Sequence, residues 1–228
     1  MGDTMNVKII SCQIFEVYIN ELLKTFSPQY QYDIEYFEIN QHNHPKEFNL
    51  ILQNRINEIK DYDLIVLVYG ICGNSTSYLK AGNTPIVIPR VHDCSTILLG
   101  NKDRYKEVFG SRPSQGWSCL SYRFEDSHNS SISTQSSFYD LVKKYGEDNA
   151  MYLYNTLYPI DDSKVYISLG LNEDIERIKE LDSKTEVVKG SFEYLSNILK
   201  LDYKDLLVLN SNEEIVPIYD FDVVISKK

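Results

Sequence analysis

The chain has 228 residues, of which 33 are acidic and 23 basic, so its formal net charge is −10. With 43% hydrophobic and 25% charged residues it has the composition of a folded globular protein, and its length excludes neither one domain nor two. The acidic balance argues against a protein that holds nucleic-acid backbones or that binds membranes through a polybasic surface, because both tasks need clustered Lys and Arg.

The first hundred residues alternate between strand and helix patterns. Strands are predicted where β-branched and aromatic residues concentrate, at 7–11, 32–39, 63–69 and 84–89. Apolar residues three and four apart predict helices at 15–26 and 48–59. Shorter helices are predicted at 75–81 and 95–99, and a glycine-containing turn at 70–74 separates the third strand from the first of these.

Beyond residue 100 the pattern is looser. A long loop is predicted for 110–128, and the six serines of 127–137 predict an exposed, mobile stretch. Helices are then predicted at 138–158, 174–181 and 191–199, and strands at 164–169, 186–189 and 205–209.

Strand and helix patterns that alternate in this way predict an α/β protein. We expect a mostly parallel, Rossmann-like sheet flanked by helices. A single domain over 1–228 is the simplest organisation, and the alternative is two sub-lobes, 7–110 and a smaller α/β lobe over 160–210.

No segment of the sequence predicts a signal peptide or a membrane span. The N-terminus lacks a basic region followed by an apolar core, and the longest apolar run, Leu64 to Tyr69, is six residues long, against the roughly 20 that span a bilayer. We therefore expect a cytoplasmic protein, in which cysteines stay reduced and are available as ligands or nucleophiles.

Cysteine and histidine side chains follow the predicted strands of the first half. Cys12, Cys72 and Cys94 each come after a strand, and His42 lies in the loop after the second. Because the carboxyl ends of parallel strands share one edge of a sheet, where ligands bind, we expect these residues to lie near one another.

Three thiolates in one place suit zinc or an iron–sulfur cluster, and a fourth, open position is what a catalytic metal needs. Cys12, Cys72 and Cys94 are the candidate ligands, with His92 and His42 as candidate additions. The alternatives are that the cysteines are small core residues, that His92 caps a helix or binds a carbonyl, and that His42 is solvated. No CxxC pair is present, so the spacing indicates no zinc ribbon.

Two further residues are candidates for binding a cofactor or substrate. Arg90 follows the fourth strand and has the fork geometry that clamps a carboxylate or phosphate, its alternative being a structural ion pair. Trp117, the one Trp of the sequence, is a lid over a pocket or a plug in the core. Cys119, two residues later, fits the cysteine set least well.

Several blocks resemble an uncharacterised bacterial and archaeal family, domain-of-unknown-function family sixteen-thirty-eight. They are residues 10–12, 42–45, 69–74, 89–94, 98–100, 116–117, 144–150 and 206–209, so the resemblance covers roughly 7–215. Cys12, His42, Cys72, His92 and Cys94 match the family's pattern, whereas Cys119 and His44 do not, and Val91 departs from it.

The resemblance implies one-carbon metabolism, because members of the family are associated with corrinoid-dependent methyltransferase systems.

Three hypotheses about the function stay open. The first is an enzyme whose zinc–thiolate site activates a thiol for methyl transfer from a corrinoid or methyltransferase partner protein. The second is a protein with a [4Fe–4S] cluster on three cysteines, acting in redox or sulfur chemistry. The third is a non-catalytic accessory protein of a methyltransferase system. None involves nucleic acid or a membrane.

Overall fold

The structure is a computed structural model. It describes residues 4–25, 29–39, 41, 44–111, 115–123, 141–151, 164–218 and 222–228. The chain forms two compact units, one of residues 1–104 and 191–228 and the other of residues 105–190. In the described part of the chain no helix has the length and apolarity to cross a membrane.

Ten strands are described, and they are numbered in chain order. They are β1 (Asn6–Cys12), β2 (Gln31–Phe37), β3 (Leu64–Val68), β4 (Ile86–Pro89), β5 (Trp117–Ser118), β6 (Lys164–Ser168), β7 (Thr185–Lys189), β8 (Leu206–Leu209), β9 (Ile215–Pro217) and β10 (Ile225–Lys227). The helices are α1 (Glu16–Thr25), α2 (Pro45–Glu58), α3 (Cys94–Leu99), α4 (Lys102–Phe109), α5 (Asn172–Lys179) and α6 (Glu193–Leu199). Residues 141–145 and 147–151 are also helical.

The main sheet of the first unit has the strand order β2-β1-β3-β4-β8. Its first four strands are parallel, and β8 runs antiparallel to β4. All five residues of β3 are buried, as expected for a parallel strand that is covered on both faces. The prediction of a mixed α/β fold with a mainly parallel sheet is confirmed.

One face of this sheet packs against α2, and strand register identifies the residues on it. Cys12 pairs with Phe37 across β1 and β2, and the Phe37 ring meets the Phe48 ring of α2 at 5.7 Å. Because side chains along a strand alternate between faces, Lys8 lies on the same face as Cys12. The cysteine at the end of β1 therefore belongs to the α2 side of the sheet.

Lys8 is a buried cation near the start of this face. Its Nζ lies 3.1 Å from Asp33 and 3.1 Å from Glu35, and Arg55 of α2 reaches Glu35 at 2.8 Å. Hydrogen bonds from Tyr62 and Lys8 hold the pKa of the Asp33 carboxyl below its ordinary 3.8. Burial opposes the ionisation of Glu35. Hydrogen bonds from Arg55 and Lys8 outweigh this effect of burial, so the pKa of the Glu35 carboxyl lies below its ordinary 4.5.

Substituting Lys8→Met is expected to lower the free energy of unfolding by about 2 kcal/mol at pH 7, less than for a fully buried pair because Asp33 is half exposed. Since the folded carboxyls have lowered pKa values, their stabilisation is present above about pH 4.5 and is lost as the pH falls further. Urea unfolding should therefore show the difference between variant and wild type shrinking below pH 4.5. Lys24→Met, which removes an exposed ion pair with Glu21, is the control, and an equal loss there would contradict the prediction.

The second unit contains a parallel sheet of order β5-β6-β7. The buried Asp174 of α5 fixes the turn after β6, since its carboxylate accepts hydrogen bonds from Tyr166 Oη at 2.7 Å and from the amides of Leu169 and Leu171 at 3.0 and 3.1 Å. The strand predicted at 205–209 is β8, and it pairs with β4 in the main sheet of the first unit.

The structure corrects one predicted helix. Residues 72–78 form successive turns, because Asn74 and Tyr78 have φ values of 73° and 61°, which a right-handed helix does not allow. The helix predicted at 138–158 is present at 141–145 and 147–151. Gly146, between the two segments, has a left-handed φ of 80°. Residues 138–140 and 152–158, and the serine-rich stretch 127–137, lie outside the described residues.

Candidate cysteine-centred site

Three cysteines lie at the carboxyl edge of the main sheet. Cys12 is the last residue of β1, Cys72 follows β3 within a few residues, and Cys94 is the first residue of α3 after β4. β1, β3 and β4 are parallel, so all three positions fall at the same edge. This is the crevice in which α/β sheets bind ligands, and β1 and β3 flank the point where the direction of chain winding reverses.

The three sulfur atoms form one cluster. The Sγ atoms of Cys72 and Cys94 are 3.7 Å apart, and the Cys12 and Cys94 thiols are near enough to shift each other's pKa. Cys12 and Cys94 are buried, and Cys72 is half-buried. All four cysteines of the chain lie within the described residues, and none is in a disulfide.

The thiols of the cluster differ in acidity. The hydrogen bond from Cys94 lowers the pKa of Cys12 below its ordinary value, although burial opposes this. Hydrogen bonds to Cys12 and Cys72, together with burial, raise the pKa of Cys94 well above its ordinary value. Of these two thiols, Cys12 therefore ionises first, because the remaining Cys94 proton stabilises the thiolate that forms.

A close approach of two backbones brings Cys72 and Cys94 together. A Cβ atom on Gly70 would lie 2.5 Å from Asp93 Cα, so only glycine fits. The amides of Ile71 and Cys72 then donate to the carbonyls of Val91 and His92 at 3.2 and 3.1 Å. The loops after β3 and β4 thus run side by side as an extension of the sheet.

The loop after β3 has an unusual backbone. Cys72, Gly73 and Asn74 have φ values of 41°, 67° and 73°, a left-handed conformation that costs energy at the two non-glycine residues. Thr76 Oγ1 holds the loop by donating to the Gly70 carbonyl at 3.1 Å. Asn49 of α2 holds it from outside, donating to the carbonyls of Ser75 and Ser77. Strain that the surroundings maintain in this way is typical of functional loops.

Asp93 fixes the start of α3. Its Oδ1 accepts hydrogen bonds from the Thr96 amide at 3.2 Å and from Ser95 Oγ at 2.6 Å. The α3 helix ends at Gly100, whose φ of 94° is left-handed. Because Cys94 is the first helical residue, this cap determines where its sulfur lies.

A cavity of about 1040 Å³ opens beside the cluster. It is lined by the first turns of α2, by the loop on both sides of Cys72, by His92 and by the end of β9. Its walls are mainly apolar, and Lys46 is the charged side chain among its lining residues. Ile71 and Gly73, the chain neighbours of Cys72, are among the lining residues, but none of the three cysteines is.

The comparisons with known proteins give one family. The model of the family described as "Protein of unknown function (DUF1638)" matches residues 36–199. The chain belongs to this family. No curated protein and no solved structure matches the chain.

The DUF1638 match includes Cys72, His92 and Cys94 and begins after Cys12. The resemblance expected from the sequence is therefore confirmed over 36–199, and the cysteine–histidine block lies inside it. Cys12 joins the cluster through the fold, as the last residue of β1, whose neighbour β3 lies within the match.

The other predicted site residues are placed as follows. His92 lines the cavity, and its carbonyl accepts the Cys72 amide. Arg90 is half-buried, and its guanidinium donates to the carbonyl of Ile225 in β10. Trp117 lies in β5 of the second unit, with its ring 5.7 Å from that of Tyr122, and Cys119 is buried in the same unit. His42 lies outside the described residues.

The predicted metal set is only partly assembled. Within the described residues, no group of three or more His, Cys, Asp or Glu side chains has the arrangement of a metal site. The thiols of Cys72 and Cys94 are in contact, and the role of the three cysteines as ligands stays a prediction.

Sequence reasoning missed Tyr69, the residue between β3 and Gly70. Its side chain is 3% exposed and its hydroxyl has no hydrogen-bond partner in the described structure. Burial, and then the charges of Cys12, Cys94 and Cys72, raise its pKa well above 10. The signal in the sequence is weak, since Tyr69 reads there as the last apolar residue of a buried strand.

Proposed function

We propose that Cys12, Cys72 and Cys94 hold a zinc ion through three thiolates, and that the fourth position activates a thiol substrate for methyl transfer. The observation that carries the proposal is the convergence of three cysteines at the carboxyl edge of the sheet, where the sulfur atoms of Cys72 and Cys94 are in contact. Bound zinc would replace the protons that these thiols share. At its open position the metal supplies Lewis acidity, which lowers the pKa of a bound thiol.

The sulfur separation supports a single metal ion. Two thiolates on one tetrahedral zinc, each about 2.3 Å from the metal, lie about 3.8 Å apart, close to the 3.7 Å between Cys72 and Cys94. In a [4Fe–4S] cluster each cysteine binds a different iron, so the cysteine sulfurs are not in contact. The contact therefore favours zinc over the cluster.

The sheet supports a binding role for the site. We infer that it is used as Rossmann-like sheets are, with the ligand at the carboxyl edge beside the reversal point between β1 and β3. The cavity beside Cys72 has the volume of a site for a substrate-sized molecule. His92, in the cavity wall, is the side chain best placed to act on a substrate there.

The methyl donor and the compartment belong to the proposal as well. We propose a corrinoid or methyltransferase protein as the partner, which the resemblance to DUF1638 implies, and the cytoplasm as the compartment. Two thiols in contact, as in Cys72 and Cys94, would form a disulfide in an oxidising compartment but persist in the reducing cytoplasm.

The metal content of the protein, purified without oxygen or chelators, tests this function. We expect about one zinc ion per chain and no visible absorbance, because d¹⁰ zinc on thiolates is colourless. If the protein instead contains iron with a matching amount of sulfide and shows a broad visible band, the [4Fe–4S] hypothesis takes the place of the zinc hypothesis. Absence of both metals, even after zinc is added, would contradict the metal site and leave the accessory role, for which co-purification with a methyltransferase protein is the measurement.

A further inference from the structure

Two cysteine side chains are in contact without being bonded. The Sγ atoms of Cys72 and Cys94 lie 3.7 Å apart, and both cysteines are reduced. Because a disulfide has an S–S bond of about 2.05 Å, these two sulfurs need to move only about 1.7 Å closer to form one. The contact therefore makes Cys72 and Cys94 a dithiol that is ready to close.

The backbone holds the two segments at the spacing that a disulfide needs. The Cys72 amide donates to the His92 carbonyl at 3.1 Å, and the Ile71 amide donates to the Val91 carbonyl at 3.2 Å. Extended segments joined by backbone hydrogen bonds lie about 4.8 Å apart, and disulfides bridge Cα atoms that are about 4.4–6.8 Å apart. The pair can therefore close without separating the loops after β3 and β4.

The two cysteines differ in exposure. Cys94 is buried at the first position of α3, a helix whose residues are all buried. Cys72 is half-buried and lies in the loop after β3. An oxidant from solution therefore meets Cys72 first, with the Cys94 sulfur in contact behind it. An accessible cysteine next to a second, resolving cysteine is the arrangement found in redox sensors.

We propose that Cys72 and Cys94 form a redox-active pair, which closes to a disulfide on reaction with a hydroperoxide and is reopened by a dithiol. The inference goes beyond the function proposed above and does not depend on a metal ion. Disulfides of cytosolic proteins are usually transient ones of this kind. While the disulfide is closed neither sulfur is a thiolate that can bind or react, so the cysteine cluster is available only under reducing conditions.

The oxidation takes place as two displacements. The Cys72 sulfur attacks one oxygen of hydrogen peroxide and the O–O bond breaks, which releases one water and leaves a sulfenic acid on Cys72. The Cys94 sulfur then attacks the Cys72 sulfur, the S–O bond breaks, and a second water leaves with the Cys94 proton. Two thiols thus give two electrons to the peroxide, and one S–S bond replaces two S–H bonds. A dithiol reverses the reaction by exchange and is itself oxidised to a disulfide.

A count of thiols tests the pair. The folded protein, kept with a chelator so that no metal takes part, is treated with a stoichiometric amount of hydrogen peroxide, denatured, and titrated with a chromogenic disulfide. The four thiols of the reduced protein are expected to fall to two, because one disulfide consumes two of them. Peptide mapping should find Cys72 joined to Cys94, and dithiothreitol should restore all four thiols.

Serine variants show which thiols react. Cys72→Ser, a change at a half-buried position that the fold should tolerate, is expected to lose no thiols under the same treatment. In Cys94→Ser the sulfenic acid on Cys72 has no resolving thiol, so dimedone should trap it there. Cys12→Ser and Cys119→Ser are the matched controls. Each removes one of the other buried thiols and keeps the pair, so each should lose two thiols as the wild type does.

Four thiols remaining in the treated wild type would overturn this assignment. A disulfide that maps to Cys12, or one that joins two chains, would overturn it as well, because the contact between Cys72 and Cys94 would then not direct the reaction. A loss of two thiols in Cys72→Ser would have the same meaning. Because metal is excluded from these measurements, their failure is distinct from a failure of the zinc site, which the metal content decides.

Discussion

Replacing Cys94 by serine is expected to lower the zinc affinity of the protein by about two orders of magnitude. Cys94 is the central thiol of the cluster, because its Sγ lies 3.7 Å from that of Cys72 and Cys12 shifts its pKa. Zinc binding by four-ligand structural sites has an apparent free energy of about 10–16 kcal/mol, or about 3 kcal/mol for each ligand. A neutral hydroxyl in place of one thiolate loses this binding free energy of about 3 kcal/mol. Because about 1.4 kcal/mol corresponds to a factor of ten in affinity, the loss amounts to about two orders of magnitude.

Isothermal titration with zinc, with a competing chelator to bring the affinity into range, measures the effect. Cys119→Ser is the control, because Cys119 is also a buried thiol but lies in the second unit. Both substitutions replace a buried thiol by a hydroxyl, which is more costly to bury, so both should lower the unfolding temperature. Only Cys94→Ser should lose zinc, and equal losses of zinc in the two variants would contradict a site on Cys94.

The position of the cluster could be predicted from the sequence, whereas its contacts could not. Alternating strand and helix patterns predict parallel strands, and parallel strands bring Cys12, Cys72 and Cys94 to one edge. The sulfur contacts depend on how the loops after β3 and β4 run. That path is set by the approach of Gly70 to Asp93, two residues far apart in the sequence, which no local pattern encodes.

The loop after β3 shows the same limit. Residues 75–81 have a composition that permits a helix, but tertiary hydrogen bonds from Asn49 to the Ser75 and Ser77 carbonyls hold them as turns. The left-handed φ of Cys72 cannot be read from the sequence either, because cysteine has no preference for that conformation.

Tyr69 and Arg90 differ in what the sequence says of them. Arg90 stands out as a charge at a strand end, and the structure gives its guanidinium a carbonyl partner, Ile225. Tyr69 looks like one more apolar residue, yet its hydroxyl is among the buried groups of the described structure that have no hydrogen-bond partner. Residue type suggests which side chains to examine, but only the structure shows which of their polar atoms are satisfied.

Gly70→Ala is expected to separate the two loops that carry Cys72 and Cys94. The added Cβ would lie 2.5, 2.7 and 2.8 Å from the Cα, N and C atoms of Asp93. These are backbone atoms at the start of α3, so no side-chain rotation relieves the clash and the loops must move apart. The hydrogen bonds from Ile71 and Cys72 to Val91 and His92 would lengthen or break.

The loss should appear both in stability and in metal binding. Overpacking costs typically about 1–3 kcal/mol, and each lost hydrogen bond adds about 1 kcal/mol, so we expect the free energy of unfolding to fall by about 3 kcal/mol. Zinc affinity should fall at least as far as in Cys94→Ser, although all three thiols are still present, because they no longer converge.

Gly82→Ala is the control, since a Cβ there has no atom within 4 Å. Urea unfolding and zinc titration of both variants separate the outcomes: a Gly70→Ala protein that is destabilised but binds zinc like the wild type would show that the close approach stabilises the fold without forming the site.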